Sequence, residues 1–156
     1  MRIPSLARLV ASIALIALFP VEGRAQSCTG AGSYVVWVRP ALIQFPAPSS
    51  ADFDAGWLEA PVAEVRVTPR GAASQGWEVC LRAESATMGG YGKPISDIEF
   101  RQNGTGPWVP LSSSDQLLAS GDRGASVQLQ FRVALDWTED VPGQYAADFT
   151  ATAAKN

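Results

Sequence analysis

From residue 126 to residue 136 the chain alternates apolar and polar side chains almost without a break. Val127, Leu129, Phe131, Val133 and Leu135 form one row, and Ser126, Gln128, Gln130, Arg132, Ala134 and Asp136 form the other. A helix repeats every 3.6 residues and cannot gather such a row on one side; a strand repeats every two and can. The segment is therefore a strand with one buried face. A strand of this kind needs neighbours, so the rest of the chain must supply sheet.

The same pattern recurs. Ala63, Val65 and Val67 alternate with Glu64, Arg66 and Thr68. Trp77, Val79, Leu81 and Ala83 alternate with Glu78, Cys80, Arg82 and Glu84. Tyr145, Ala147, Phe149, Ala151 and Ala153 alternate with Asp148, Thr150 and Thr152. This last strand is expected to pair with its predecessor across the turn at Asp140 to Gly143. Shorter apolar pieces lie at Tyr34–Arg39, at Leu42 to Phe45, around Ile95, Ile98 and Phe100, and at Leu117 and Leu118. Proline and glycine turns separate them, among them Asn103-Gly104 and Gly106-Pro107. Ser49 to Gly56 can hold one helical turn, with Ser50 as its cap. Seven to nine short strands with frequent turns predict an all-β, antiparallel two-sheet sandwich of immunoglobulin-like kind, with a barrel as the main alternative.

The N-terminus has a different character. Arg2 and Arg8 precede an apolar run from Leu9 to Phe19, Pro20 and Gly23 end it, and Gly23-Arg24-Ala25 is a small-x-small site. These are the parts of a secretory signal peptide cut between Ala25 and Gln26. The apolar run is about half the roughly 20 residues that a membrane span needs. Residues 1–25 are thus expected to be removed, leaving 26–156 as a single domain that is secreted, periplasmic or at the cell surface, with no transmembrane anchor after cleavage. Removing Arg2, Arg8, Arg24 and Glu22 takes the net charge from −3 to about −5. Basic residues are scattered along the sequence, so nucleic acid is not an expected partner.

Export also bears on Cys28 and Cys80, the only cysteines. In an oxidising compartment they are expected to pair. Closing that loop is worth about 4 kcal/mol in the chain-entropy view. Because Cys80 lies on the polar row of its strand, the bridge should sit outside the main core, stapling the N-terminal segment to the outer face or an edge of a sheet.

Few chemistries remain open. Histidine is absent, which removes the usual base of nucleophilic triads and the commonest transition-metal ligand. No phosphate loop or dinucleotide fingerprint occurs. The acidic pairs Asp52/Asp54, Asp97/Glu99 and Glu139/Asp140 are sequence neighbours, which rarely face each other across a substrate as glycosidase carboxyls must. Asp52 and Asp54 could supply oxygens to calcium, but without the EF-hand pattern. The expectation is a non-enzyme with no catalytic residue, metal or cofactor. Asn103-Gly104-Thr105 is a glycosylation sequon in a turn. Of the five tryptophans, Trp77 and Trp37 read as core. Trp57, Trp108 and Trp137 lie in or beside loops, and are the candidates for a ligand face that stacks on sugar rings.

The signal peptide, single disulfide, alternating strands and closing Gly143-Gln144-Tyr145 strand with Thr150-Ala151-Thr152 resemble bacterial pilin-like secreted β-sandwiches, including spore-coat-U-type and related fimbrial domains. The resemblance implies a structural or surface-interaction role, with a protein or cell-envelope partner. Two features separate the chain from a chaperone–usher subunit. Cys28 is the third residue after the cut, so no donor arm precedes it. The chain ends Ala153-Ala154-Lys155-Asn156, without a near-terminal aromatic residue. A self-contained domain is therefore expected, with a carbohydrate-binding module as the alternative function.

Overall fold

The alternating rows become strands, and their registers put like with like. A computed structural model describes Cys28 and residues 34–60, 62–70, 76–89 and 92–155. The expected signal peptide and its cut between Ala25 and Gln26 lie outside these residues. In chain order the elements are β1 (Tyr34–Arg39), β2 (Leu42–Gln44), α1 (Ser50–Ala55), β3 (Trp57–Glu59), β4 (Ala63–Pro69) and β5 (Trp77–Ala83). There follow β6 (Thr87–Met88), β7 (Lys93–Pro94), β8 (Ile98–Gln102), β9 (Val109–Pro110), β10 (Gln116–Gly121), β11 (Ala125–Ala134) and β12 (Ala146–Lys155). The protein is mostly β, and every strand pair is antiparallel. Seven of the strands have five or more residues, which are the ones the alternation could mark. The others are pieces of two or three residues, too short to show a period.

Two larger sheets hold the structure. One has the order β1-β4-β11-β8-β9, with β3 also on β11; the other has the order β10-β5-β12-β2. β6 and β7 form a separate hairpin. The inner rows of both sheets share one buried cluster: Val65 and Val67 from β4, Leu129, Phe131 and Val133 from β11, Val79 and Leu81 from β5, and Phe149 from β12. Phe131 and Phe149 meet with ring centroids 5.3 Å apart. Trp77 is fully buried, as expected. Its indole N–H donates to the Arg123 carbonyl at 2.8 Å, and a Cβ at position 121 would lie 2.8 Å from its ring. Only glycine fits there.

The expected pairing of the last two strands does not occur. β11 and β12 belong to different sheets, and residues 135–145 cross from one to the other. Each strand is apolar on one row, and those rows bury each other by facing across the core, which side-by-side pairing would not achieve. Two smaller differences are local. The helix cap is Ser49, not Ser50; the Asp52 carboxylate accepts from the Ser49 N–H at 2.7 Å and from its hydroxyl at 2.6 Å. Residues Ile95–Asp97 form a 3-10 turn rather than strand, and the Lys93–Asp97 ion pair spans that turn.

The Cys28–Cys80 disulfide is formed. It lies in its own buried cluster with Ala154, apart from the main core, on the outer side of the four-stranded sheet as the parity of Cys80 implies. Gln102 Nε2 of β8 donates to the Leu118 carbonyl of β10 at 2.7 Å, and Gln116 Nε2 of β10 to the Pro110 carbonyl of β9 at 2.9 Å. These bonds join the two large sheets along one side. On the other side the chain itself joins them, passing from β1 to β2 at Arg39-Pro40, whose peptide bond is cis.

Phe131→Ala should lower the unfolding free energy by about 3–5 kcal/mol in urea titration, since it opens a cavity where both sheets meet. Gln128→Ala, on the solvent row of the same strand, should stay within about 0.5 kcal/mol. Reducing the disulfide should lower the melting temperature by roughly 10 °C or more, by loss of loop closure. An unchanged melting temperature would show the bridge to be energetically idle.

Candidate functional site

The solvent row of a strand is free to carry function because its inner row carries the fold. On the six-stranded sheet, β11 shows Ser126, Gln128, Gln130, Arg132 and Ala134 outward, and β4 shows Glu64, Arg66 and Thr68. Registers then place specific side chains together. Trp37 lies opposite Arg66, and Arg66 opposite Ser126. Arg101 lies opposite Gln130, and Glu99 opposite Arg132. Glu59 also lies opposite Arg132, and Trp57 opposite Ala134.

The arginines, dispersed along the sequence, are thereby gathered. Arg39, Arg66, Arg101 and Arg132 all stand on this face, which corrects the reading of basic residues as scattered. Their guanidinium carbons lie over indoles: Arg39 and Arg66 at 4.8 and 5.5 Å from the Trp37 ring, and Arg101 and Arg132 each at 4.4 Å from the Trp108 ring. Such cation–π contacts hold long side chains in place. Arg132 Nε also bonds Glu99 at 2.6 Å, and Arg101 Nε bonds the Gln130 amide oxygen at 2.8 Å. Among the described residues, no ion pair with a carboxylate is formed by Arg39, Arg66 or Arg101.

Trp37 is not core. It is 37% exposed and faces outward, while Tyr34, Val36 and Val38 pack inward. A run of five apolar residues has no polar partner row to reveal its parity, and β1 is an edge strand with one neighbour. The three expected ligand-face tryptophans divide. Trp57 is 42% exposed at the start of β3 on the arginine face. Trp108 belongs to that face too, but two guanidiniums cover it. Trp137 is 57% exposed beyond the end of β11. One side of its ring stacks on Phe53 of α1 with centroids 4.7 Å apart, and its N–H donates to Asp54 at 3.0 Å.

Five of the six residues in the acidic pairs have structural partners. Asp52 caps α1, and the Ser49 hydrogen bonds hold its carboxyl below the usual range. Asp54 accepts from Trp137, and Glu99 pairs with Arg132. Asp97 and Asp140 both hold Lys93, at 2.8 and 2.7 Å. That trio lines a cleft of about 330 Å³ with Glu139 and Tyr145. Burial alone would lower the Lys93 pKa, but its hydrogen bonds to Asp140 and Asp97 outweigh this and raise it above the ordinary 10.5. Among the described residues, no group of three or more acidic or cysteine side chains is arranged to hold a metal ion. Asn103 is exposed in its turn at positive φ, and its side-chain oxygen accepts from the Gln128 N–H at 3.1 Å. No helix among the described residues is long and apolar enough to cross a membrane. No known family model, curated protein or solved structure matches the chain.

A raised lysine pKa stabilises the fold below the unfolded value, and this contribution is lost as pH rises through the folded value. Thermal melts of the wild type should therefore show an extra loss of stability above pH 10.5. In Lys93→Met the protein should melt lower at pH 7 and that alkaline loss should be smaller; equal alkaline slopes would show that the trio does not contribute.

Proposed function

We propose that this is an exported, non-enzymatic domain, an immunoglobulin-like β-sandwich with a surface-interaction role, working at the cell envelope or outside the cell. The observation that carries the proposal is the display of Trp37 and Trp57 among four arginines on the outer face of a sheet whose inner face is fully used. Large aromatic side chains left exposed on a sheet face are candidates for interaction. Tryptophan and arginine are the residues most enriched where binding energy concentrates. The engagement of Asp52 in a cap, Asp54 in a hydrogen bond from Trp137, and Glu99 and Asp140 in ion pairs supports the non-enzymatic part of the reading. The disulfide supports an oxidising compartment.

The pilin-like resemblance enters this proposal as a kind of role, not as a mode of polymerisation. The side-chain bonds of Gln102 and Gln116 to backbone carbonyls favour a self-contained domain over one completed by a neighbour's strand. A second reading, a carbohydrate-binding module, is favoured by the open rings of Trp57 and Trp137, each able to stack on a sugar. Trp108 supports it less, since its ring already carries two guanidiniums.

The test is retention of the labelled exported protein on intact cells of the producing organism. The wild type should be retained, and the Trp37→Ala/Trp57→Ala/Trp137→Ala variant should be lost while keeping its melting transition. Equal retention of both proteins, or none of either, would remove these indoles from any binding role.

A further inference from the structure

The outer face of the six-stranded sheet is unlike a protein-binding surface in one respect. Interfaces between proteins have an apolar centre with a polar rim. Here the central strand β11 presents Ser126, Gln128, Gln130, Arg132 and Ala134, so its only apolar side chain is one methyl group. The indoles stand near the two ends of this polar row, both on its β4/β3 side: Trp37 on β1, level with Ser126 through Arg66, and Trp57 on β3 opposite Ala134. From Ser126 to Ala134 the row is roughly 27 Å long at strand rise. Amide, hydroxyl and guanidinium groups along such a row match the hydroxyls and acids of an extended sugar chain, with ring stacking at its ends.

The charge on the face gives the class of sugar. In a chain of net charge −3, the face carries Arg39, Arg66, Arg101 and Arg132 against Glu59, Glu64 and Glu99. Glu99 is paired with Arg132, whereas Glu64 accepts from the Ser126 hydroxyl, keeps its charge and stands opposite Arg39 in the β1–β4 register, so the face carries one more positive than negative side chain. Arg39, Arg66 and Arg101 are held by indoles or by Gln130 rather than by carboxylates. A cation–π contact leaves the in-plane N–H groups of a guanidinium able to bond carboxylate or sulfate oxygens. We propose that this face binds an acidic polysaccharide, with Arg39, Arg66 and Arg101 on its anionic groups, Gln128 on its hydroxyls and Trp57 stacked on a ring. The inference rests on the outer face being the binding surface, and adds to it the ligand's chemical class.

Affinity electrophoresis of the exported protein tests it, in gels containing polygalacturonate, dextran sulfate or neutral dextran. A net-negative protein is repelled by polyanions as a whole, so retardation would report a local site. Wild type should be retarded by polygalacturonate or dextran sulfate and not by dextran, and added salt should weaken the effect. The Arg39→Gln/Arg66→Gln variant and, separately, Arg101→Gln should bind about tenfold more weakly with unchanged melting temperatures. Arg82→Gln, an exposed arginine on the outer side of the other large sheet, should bind as wild type. Failure of both acidic polymers to retard the protein, equal retardation by dextran, or arginine variants that bind as wild type would overturn the assignment. If cells still retain the wild type in that event, the surface-interaction reading stands and only the ligand class falls. If cells do not retain it either, both fall.

Discussion

Everything in this protein depends on two apolar rows that face each other, one from each large sheet, with Phe131 and Phe149 in contact at the centre. Strand hydrogen bonds satisfy the backbone but do not choose which strands are neighbours. The choice follows from burial. β11 offers Val127, Leu129, Phe131 and Val133 on one row and β12 offers Ala147 and Phe149 on one row. Placed side by side, the two would extend a single sheet and leave both rows to water. Placed in separate sheets, each covers the other, at about 1.5–3 kcal/mol per large side chain buried. The gain over a dozen such residues is what makes an eleven-residue crossing between the strands worthwhile.

Two layers alone would still have open sides and a loose start. The structure closes each by a different means. Glutamine amides from β8 and β10 bond carbonyls of the other sheet, which gives edge groups partners they would otherwise seek elsewhere. The disulfide secures residue 28 to β5 on the outer side of the four-stranded sheet, with the Cys28 N–H on the Asp115 carboxylate at 3.2 Å. One sheet thus has its outer side partly covered by its own chain, while among the described residues no segment beyond the sheet's own side chains covers the outer side of the other. The asymmetry is a physical reason to look for function on the six-stranded sheet.

How far the sequence revealed this varies with the kind of signal. β4, β5, β11 and β12 each alternate over seven or more residues, and their buried rows agree with the sequence reading, including Trp77 as core and Cys80 as outward. The burial of Trp37 was misread because Tyr-Val-Val-Trp-Val is apolar throughout, and parity in such a run is set by what it packs against. The pairing of β11 with β12 was misread because adjacency in sequence is only a tendency, and a turn at Asp140 to Gly143 does not say whether the chain folds back in its own sheet or crosses to another. Trp57, Trp108 and Trp137 were legible as loop-side indoles. Their separation into one covered by arginines, one stacked on Phe53 and one open was not, since it depends on partners such as Arg132, 24 residues from Trp108, and Phe53, 84 residues from Trp137.

The arginine face makes the same point about charge. Arg39, Arg66, Arg101 and Arg132 are 27, 35 and 31 residues apart in turn, so they form no cluster along the chain. Antiparallel registers bring them together because each sits on the solvent row of a strand within one sheet. Four guanidiniums on one face would repel each other in water, and the indoles of Trp37 and Trp108 offset this by giving each pair a fixed seat. A fold needing only solubility has no use for that arrangement: dispersed lysines on the same row would serve equally well. Arg132 spends its Nε on Glu99 and Arg101 on Gln130, whereas Arg39 and Arg66 are held over Trp37 with no carboxylate ion pair among the described residues, a difference that only the fold reveals.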